Sequence, residues 1–449
     1  METKTFKGGI HPPERKEATE GKAIERISTP KQVVVPVNQH FGAPNQSLVK
    51  VGDVVKRGQK IADAEGKMTV PVHAPVAGTV KKIEPRTQSN NIDGPCIIIE
   101  TAASDETDFM SPLDAFSCTK EEAIARIRDA GIVGMGGAGF PVYVKLAPPP
   151  NKPINVVIAN GAECEPYLTI DEMTMLEDGA KVVEGLAIIM RTVGVKKGIF
   201  AIEENKKHAA ESIEKVIPSA AHGLDISVVL LKTKYPQGGE KMLITAVTGK
   251  EVPSGGLPMD VGCIVQNIGS LKAIAEAFTE GKPLIDRGLT ITGGACKTPK
   301  NVIVPIGTVI GEIPSEFLDI DRDALRKILF GGPMMGTAVP SLDIPVQKNT
   351  SGVTMMNAAE ADATEEGPCI RCGRCMRNCS CRLSPVLMNN AIDTGDLEGA
   401  AKIGLLDCIE CGSCSYVCPA RIQLVQRFRV GKQLLRNKRA AASPAPAKA

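Results

Sequence analysis

Tryptophan is absent from the 449 residues, and the aromatic side chains number only four Tyr and ten Phe. The 53 basic residues barely exceed the 51 acidic ones, a formal net charge of +2. A chain so poor in stacking rings and in positive field is not built to hold nucleic acid. No apolar run approaches the roughly 20 residues that span a bilayer, and no apolar signal core follows Met1-Glu2-Thr3-Lys4. The expectation is a cytosolic protein or a peripheral membrane subunit, long enough for two to four domains. Cysteine is plentiful, at 14. In a reducing compartment these are not expected to pair as disulfides. Cys96, Cys118, Cys164, Cys263 and Cys296 are scattered and read as buried packing.

The other cysteines are organised. Cys369, Cys372, Cys375 and Cys379 form one run, and Cys408, Cys411, Cys414 and Cys418, followed by Pro419, repeat its spacing 408 − 369 = 39 residues later. Three thiolates from one C-x-x-C-x-x-C turn and a fourth from the other run is the ligand pattern of two 4Fe-4S clusters. The expected sets are Cys369, Cys372, Cys375 and Cys418 for one, and Cys408, Cys411, Cys414 and Cys379 for the other. Structural zinc or thiol redox chemistry also uses C-x-x-C pairs, but two four-member runs fit neither as well. Ser380 stands where proline follows the second run, and Cys381 is an extra thiol, a bystander or a neighbour of the cluster.

Residues 1–30 read as an extended arm lying on another surface. Residues 31–112 read as a β-rich unit with strands at Val33–Val37, Gly52–Val55, Val70–His73 and Gly78–Ile83. The stretches Val51–Gln59 and His73–Val80 resemble the two halves of a lipoyl-like hammerhead, a barrel-sandwich, although Lys60 and Lys67 lack the surroundings of a swinging-arm lysine. Residues 113–285 alternate helix and buried strand, which predicts a parallel α/β core. Strands are expected at Ile154–Ala159, Lys197–Ile202 and Asp225–Leu231. Helices are expected at Lys120–Ala130, Glu172–Val193, Lys206–Val216 and Gly238–Thr248. Residues 286–352 look like a small β-grasp module with a helix near Asp321–Leu329. Residues 353–439 would be a helical two-cluster domain, and 440–449 a disordered tail. The fold class is therefore multidomain, α/β with α+β.

Gly134-Met135-Gly136-Gly137-Ala138-Gly139 satisfies G-x-G-x-x-G, yet a helical pattern precedes it where a dinucleotide fingerprint requires a strand. What remains is bare backbone that a phosphate or a flat ring can approach closely, a ligand-cradling loop. Three further segments follow predicted strands or carry amides: Asn160-Gly161-Ala162-Glu163-Cys164-Glu165, Tyr235-Pro236-Gln237-Gly238-Gly239-Glu240, and Val265-Gln266-Asn267. Glu163 and Glu165 read either as helix caps or as ligand contacts.

These four segments in order resemble the flavin- and NADH-binding subunit of respiratory complex I. The resemblance implies non-covalent FMN, with NAD(H) as substrate. It places Gly134, Gly136, Gly137, Ala138, Gly139, Phe140 and Lys145 near flavin and nicotinamide, and Asn160 and Glu163 along the flavin. Glu165 and Glu240 would meet the nucleotide, with Tyr235, Gly238, Val265, Gln266 and Asn267 completing the pocket. Ala162, Gly239 and Gln266 depart from that family, which has Asp, Glu and Asn there. Taken whole, with the arm Gly8-Gly9-Ile10-His11-Pro12-Pro13 and the doubled cysteine run, the chain is similar to the RnfC family, the NADH-side subunits of Rnf ion-translocating complexes. A sister family is the cobalamin reductase of propanediol-utilising microcompartments.

The RnfC resemblance implies a peripheral subunit on the cytoplasmic face of the membrane. Its partners would be membrane subunits and a ferredoxin-like iron-sulfur subunit, with ferredoxin an indirect partner. Electrons would pass between NAD(H), FMN and two clusters, while other subunits move Na+ or H+. NADH gives up electrons in pairs and a 4Fe-4S cluster takes one, so the flavin divides the pair. This chemistry needs no general base. Glu165 and Glu240 would orient and tune, and Lys145 would offset negative charge. A non-enzymatic electron-relay scaffold is the competing reading. Finally, Leu424, Phe428 and Leu435 recur at helical spacing among basic residues, which suits either a bilayer or partner contact or packing on the cluster domain itself.

Overall fold

The computed structural model describes residues 3–64, 66–104, 106–361 and 365–442. At its centre four strands form a wholly parallel sheet in the spatial order Asp225–Leu231, Lys197–Glu203, Val156–Gly161, Cys263–Asn267. Both faces are covered, so successive residues point into two different cores. Val157, Ala159, Phe200, Ile202 and Ile264 face one set of helices. Val156, Ile158, Ile199, Ala201, Cys263 and Val265 face the other side.

The first set comprises α1 (Lys120–Asp129), α2 (Val142–Lys145), α3 (Ile170–Glu177), α4 (Gly179–Val193) and α5 (Lys207–Ala220). On the far face lies α6 (Glu240–Thr248), and α7 (Ile268–Thr279) rejoins the first set. A reciprocal cap starts α1, where Thr119 Oγ1 accepts from Glu122 N (3.2 Å) and Thr119 N donates to Glu122 Oε2 (2.8 Å). The single helix expected over 172–193 is two, broken at Asp178 (φ −116°, ψ 25°). Gly179 weakens helical continuity there, and Lys272 holds the Asp178 carboxylate at 2.6 Å. The strand Cys263–Asn267 and α7 were not anticipated.

The β-rich unit consists of two small sheets. One runs Gln32–Pro36, Asp93–Thr101, Gly78–Thr87, Val54–Val55, and the other Gln46–Ser47, Lys60–Asp63, Val72–His73. They enclose Val33, Val35, Ile61, Val80, Ile97 and Ile99. The predicted strands are present. Gly78–Thr87 runs four residues longer than expected because its outer half is polar and solvent-facing, and Asp93–Thr101 was missed.

A fourth, six-stranded sheet is ordered Glu25–Arg26, Lys300–Pro305, Asp286–Thr292, Gly352–Met356, Lys327–Phe330, Thr337–Val339. The helix expected near 321–329 does not form. Leu325 N donates to Asp321 O (3.0 Å), closing a single turn, and Ile328-Leu329-Phe330 then pairs antiparallel with Val353–Met355. The apolar triplet is better satisfied in the middle of a sheet than on one helix face. This sheet draws one strand from the arm and continues to Met356, past the boundary expected at 352.

The cysteine region is helical: α8 (Arg374–Arg377), α9 (Pro385–Asp393), α10 (Leu397–Lys402), α11 (Ser413–Tyr416) and α12 (Leu424–Ala442). Leu424, Phe428 and Leu435 are 4%, 0% and 1% exposed, and the first two join Met388, Ala400 and Leu405 in one core with the cluster cysteines. The apolar face of α12 is therefore spent inside its own domain. Of the tail expected at 440–449, Ala440–Ala442 finish α12 and 443–449 lie outside the described residues.

The arm docks within its own chain rather than on another surface. Lys4 adds to the free edge of the parallel sheet (Lys4 N to Leu230 O and Lys232 N to Lys4 O, both 2.9 Å). Ile10 and Tyr235 exchange two 2.8 Å hydrogen bonds, and Gly9 N donates to Asn378 O at 3.2 Å. Gly8 and Gly9 both have φ +84°. A Cβ on Gly8 would lie 2.8 Å from Cys379 O, and one on Gly9 2.7 Å from Tyr235 O. Only glycine lets the strap pass between these two carbonyls.

Candidate functional site

From Val156–Gly161 the chain moves to neighbours on one side of the sheet, then returns to Cys263–Asn267 on the other. The carboxyl ends of these two strands diverge, and such a switch point is where open α/β sheets bind ligands. The glycine loop hangs over it. Val133 bridges Pro141 and Gly134 N donates to Phe140 O (2.9 Å), so the loop is a closed turn with Gly136, Gly137 and Ala138 exposed. Its preceding element is α1, in accord with the rejection of a dinucleotide fingerprint. Met135 N donates to Ser270 Oγ at 3.0 Å, pinning the loop to α7. A Cβ on Gly136 would stand 3.2 Å from Asn267 Nδ2, whereas one on Gly137 meets no protein atom within 4 Å.

The sequence-predicted residues converge. Lys145 ends α2 and donates to Glu240 Oε1 (2.9 Å) and to Val265 O (3.1 Å). Asn160 Nδ2 donates to Gly238 O at 2.8 Å. Asn267 caps α7 through Gly269 N (2.9 Å) and donates to Asp171 Oδ2 (2.6 Å). Glu163 is buried and committed: it accepts from Asp171 N (2.9 Å) at the start of α3 and pairs with buried Lys206 at 2.7 Å. Burial pushes its carboxyl up, but Lys206 and Lys16 outweigh that and hold it below the usual range. Glu165 accepts from Met334 N (2.6 Å) and Met335 N (3.1 Å). Its burial wins, raising the carboxyl to about 7 despite those two donors. Tyr235 is 1% exposed, and its hydroxyl lies by the Glu165 carboxyl.

Whether a ring-bearing ligand fits can be read from orphaned atoms. Gln237 is 0% and Gln266 1% exposed, and neither amide has a partner for its oxygen or nitrogen. A buried polar group left unpaired costs about 1–3 kcal/mol, so two complete amides call for an occupant. A flavin ring edge or ribityl chain offers matching donors and acceptors.

Sequence reading missed several contributors. Gln237 lay inside a quoted segment but was passed over. Lys16 reaches from the arm to donate to Glu163 O (2.8 Å), Glu165 O (3.1 Å) and Leu168 O. Cys164, read as inert packing, accepts from Gly238 N at 3.2 Å. Phe41 of the β-rich unit stacks on Phe140 (centroids 5.9 Å apart) and donates its N–H to Gly139 O. Arg287 and Asn349 of the six-stranded sheet hold Met135 and Gly137 O. Gln237 alone carried a local signal, an amide beside a glycine pair after a strand. The others act across separations from 74 residues (Cys164 to Gly238) to 212 (Asn349 to Gly137).

Cysteines of the two runs lie near one another. Cys375 lies beside Cys372 and Cys418. Cys414 lies beside Cys408, Cys411 and Cys379, and Cys408 beside Cys411 and Cys379. Cys369 is exposed on the loop that opens the first run. Burial pushes the Cys408 thiol up to about 12 and also raises Cys375, Cys379 and Cys414. Such thiols ionise when a metal takes them, so cluster uptake releases protons. Cys381 sits by Cys379 and Cys411, its thiol raised to about 11 by burial.

Comparison with known proteins agrees with this anatomy. Residues 4–104 match an RnfC barrel sandwich hybrid domain, 127–276 a Nuo51 FMN-binding domain, and 362–419 a 4Fe-4S dicluster domain. A subunit of the proton-translocating ferredoxin:NAD(+) oxidoreductase complex of Clostridium ljungdahlii is 45% identical over 432 residues, 95% of this chain and 93% of the relative. Its counterpart from the Na(+)-translocating complex of Acetobacterium woodii is 41% identical, covering 96% of each. A third relative, from the ion-translocating oxidoreductase complex of Rhodobacter capsulatus, is 39% identical over 96% of this chain and 83% of its own length. The chain belongs to the RnfC family of ion-translocating oxidoreductase complexes.

Proposed function

We propose that this chain is the NADH-side subunit of an Rnf-type complex. It would exchange electrons between NAD(H) and two 4Fe-4S clusters by way of FMN, in a ferredoxin:NAD+ oxidoreductase whose other subunits move the coupling ion. The observation that carries the reading is the contact between the crevice and the second cysteine run. A Cβ on Gly239 would lie 3.7 Å from Ile409 Cδ1, and one on Gly412 2.9 Å from Met334 O, the residue whose N–H holds Glu165. Pocket and cluster loop share a wall.

Bound FMN supplies the conversion between hydride and single-electron chemistry. The residues do the rest. Gly134, Gly136, Gly137, Ala138, Gly139 and Phe140 would present backbone to the ring and the unpartnered amides of Gln237 and Gln266 would meet its edge, with Asn160 and Asn267 holding Gly238 and Asp171 alongside. Lys145, held by Glu240, supplies positive charge beside the crevice, and Glu165 and Glu240 orient the nucleotide. Glu163 fixes the start of α3 beneath them. In finer architecture, we read residues 31–112 as a hammerhead, 113–285 as the flavin core, 286–352 as a β-grasp module and 353–439 as the cluster domain. Among the described residues no helix is long and apolar enough to cross a membrane. Two relatives are named for different ions, H+ and Na+, which favours ion choice residing in partner membrane subunits. The chain would sit peripherally at the cytoplasmic face, against those subunits and a ferredoxin-like one.

Anaerobic titration of the purified, flavin- and iron-loaded chain with NADH tests this. Bleaching of the flavin absorbance followed by cluster reduction is expected. Loaded protein that NADH leaves unchanged would establish the relay-scaffold alternative instead.

A further inference from the structure

The two cysteine runs are near-copies in backbone as well as spacing. Arg371 and Glu410, 39 positions apart, both adopt left-handed φ (54° and 57°), as do Gly373 and Gly412 (72° and 82°) and Arg382 and Arg421 (55° and 56°). Their surroundings are opposite. Ile409 packs near Gly239 on the α/β core, while its counterpart Ile370 is 66% exposed. Glu410 is bound by Arg429 (3.1 Å) and Lys432 (2.7 Å). Its counterpart Arg371 is exposed, as are Arg374 and Arg377, and none of the three forms an ion pair with a described residue. Met376, between them, is 45% exposed. Over residues 369–382 there are four Arg and no acidic residue, whereas 408–421 holds one of each sign. Exposed Lys7 adds charge at this edge, where the arm passes Cys379.

In the second half, the tip of this loop, Ile409 and Gly412, is the part that rests on the core. We propose that the equivalent face of the first half, Ile370, Arg371, Arg374, Met376 and Arg377, is the docking surface for an acidic one-electron iron-sulfur protein. It follows that the cluster held by Cys408, Cys411, Cys414 and Cys379 is the inner carrier and that held by Cys369, Cys372, Cys375 and Cys418 the outer one. This rests on the function proposed above. Each NADH oxidised to NAD+ yields one proton and two electrons, so two partner molecules are each reduced by one electron, and the reverse flow balances the same way. An apolar centre ringed by unpaired arginines suits a partner whose own centre is surrounded by carboxylates.

The test uses the loaded full chain and, as probe, a small acidic bacterial ferredoxin with a single 4Fe-4S cluster, reduced beforehand. Anaerobic binding is measured directly, and NAD+ reduction by the reduced probe, two probe molecules and one proton per NADH formed, in parallel, for wild type and for R371E/R374E/R377E. Expected are binding and reduction that weaken more than tenfold between ~0.05 and ~0.3 M salt. The triple variant should fall more than tenfold at low salt while keeping iron content, cluster EPR signals and flavin bleaching by NADH. If the triple variant loses iron, Arg374→Gln with Ile370→Ala carries the test, with binding at least threefold weaker. Wild-type binding that ignores salt, or variants that bind as wild type, would overturn the proposal. So would variants that lose only flotation with anionic phospholipid vesicles, since the face would then belong to a bilayer. Failure of NADH to bleach the flavin would instead defeat the functional reading, and the binding measurement would still stand.

Discussion

Gly137 shows how a single position can separate a ligand's requirement from the protein's own. With no protein atom near its absent side chain, Gly137→Val should leave folding intact and lower flavin retention more than tenfold, read as the flavin-to-protein ratio after gel filtration. A fully loaded variant would refute the loop assignment. Glu165 is the pH-sensitive counterpart. Burial raises its carboxyl from 4.5 to about 7, so the native state binds the proton more tightly than the unfolded chain does. That contribution to stability is complete below about pH 4.5 and is lost as pH rises through 7. Buried Glu203 is raised to about 7 as well, so the infrared carboxylic-acid absorbance that titrates near pH 7 in the wild type should shrink by about half in Glu165→Gln, which also loses less heat resistance between pH 5 and 7.5. At this scale the sequence was most informative where chemistry is local. Eight cysteines and a glycine loop announce themselves by spacing, whereas Lys16 and Phe41 reach the site through folding alone.

The cluster-domain helix α12 unites three roles. Its buried face packs the cluster core, Lys432 Nζ donates to Cys408 O (2.6 Å), and Arg429 and Lys432 neutralise Glu410. Its basic residues are thus partly consumed inside the domain, so truncation after Arg421 should cost iron content rather than merely membrane association. Phe428→Ala should destabilise by about 3–5 kcal/mol, with bound iron lost at lower denaturant than in wild type. For the strap, Gly8→Val drives a side chain toward Cys379 O. It should slow cluster reduction at least tenfold in stopped-flow mixing with NADH while flavin bleaching keeps its rate. Equal slowing of both phases would show a general defect instead. Periodicity located three of the four strands of the parallel sheet because a sheet covered on both faces makes apolar runs. It misread 321–329 because an apolar triplet after a charged stretch suits helix and strand alike, and only pairing with Gly352–Met356 decides between them.

Across the whole molecule, separate parts of the chain meet at the glycine loop. Arg287 reaches it from the six-stranded sheet, Asn349 from the loop before Gly352–Met356, and Phe41 from the β-rich unit. Expressed without partners, the chain should stay in the supernatant after high-speed centrifugation, as expected of a peripheral subunit; recovery only from detergent-extracted membranes would contradict that. The order of domains was legible from composition and motifs, but their mutual arrangement was not, since it depends on contacts between residues such as Gly9 and Asn378. Those two are 378 − 9 = 369 residues apart. At ~5–20 residues per second, roughly 20–70 s of translation separate them. The strap must therefore wait for a segment made 369 residues later, and its final seating follows the synthesis of the cysteine region. Iron-sulfur assembly has until then to reach a cysteine loop that the seated strap afterwards covers.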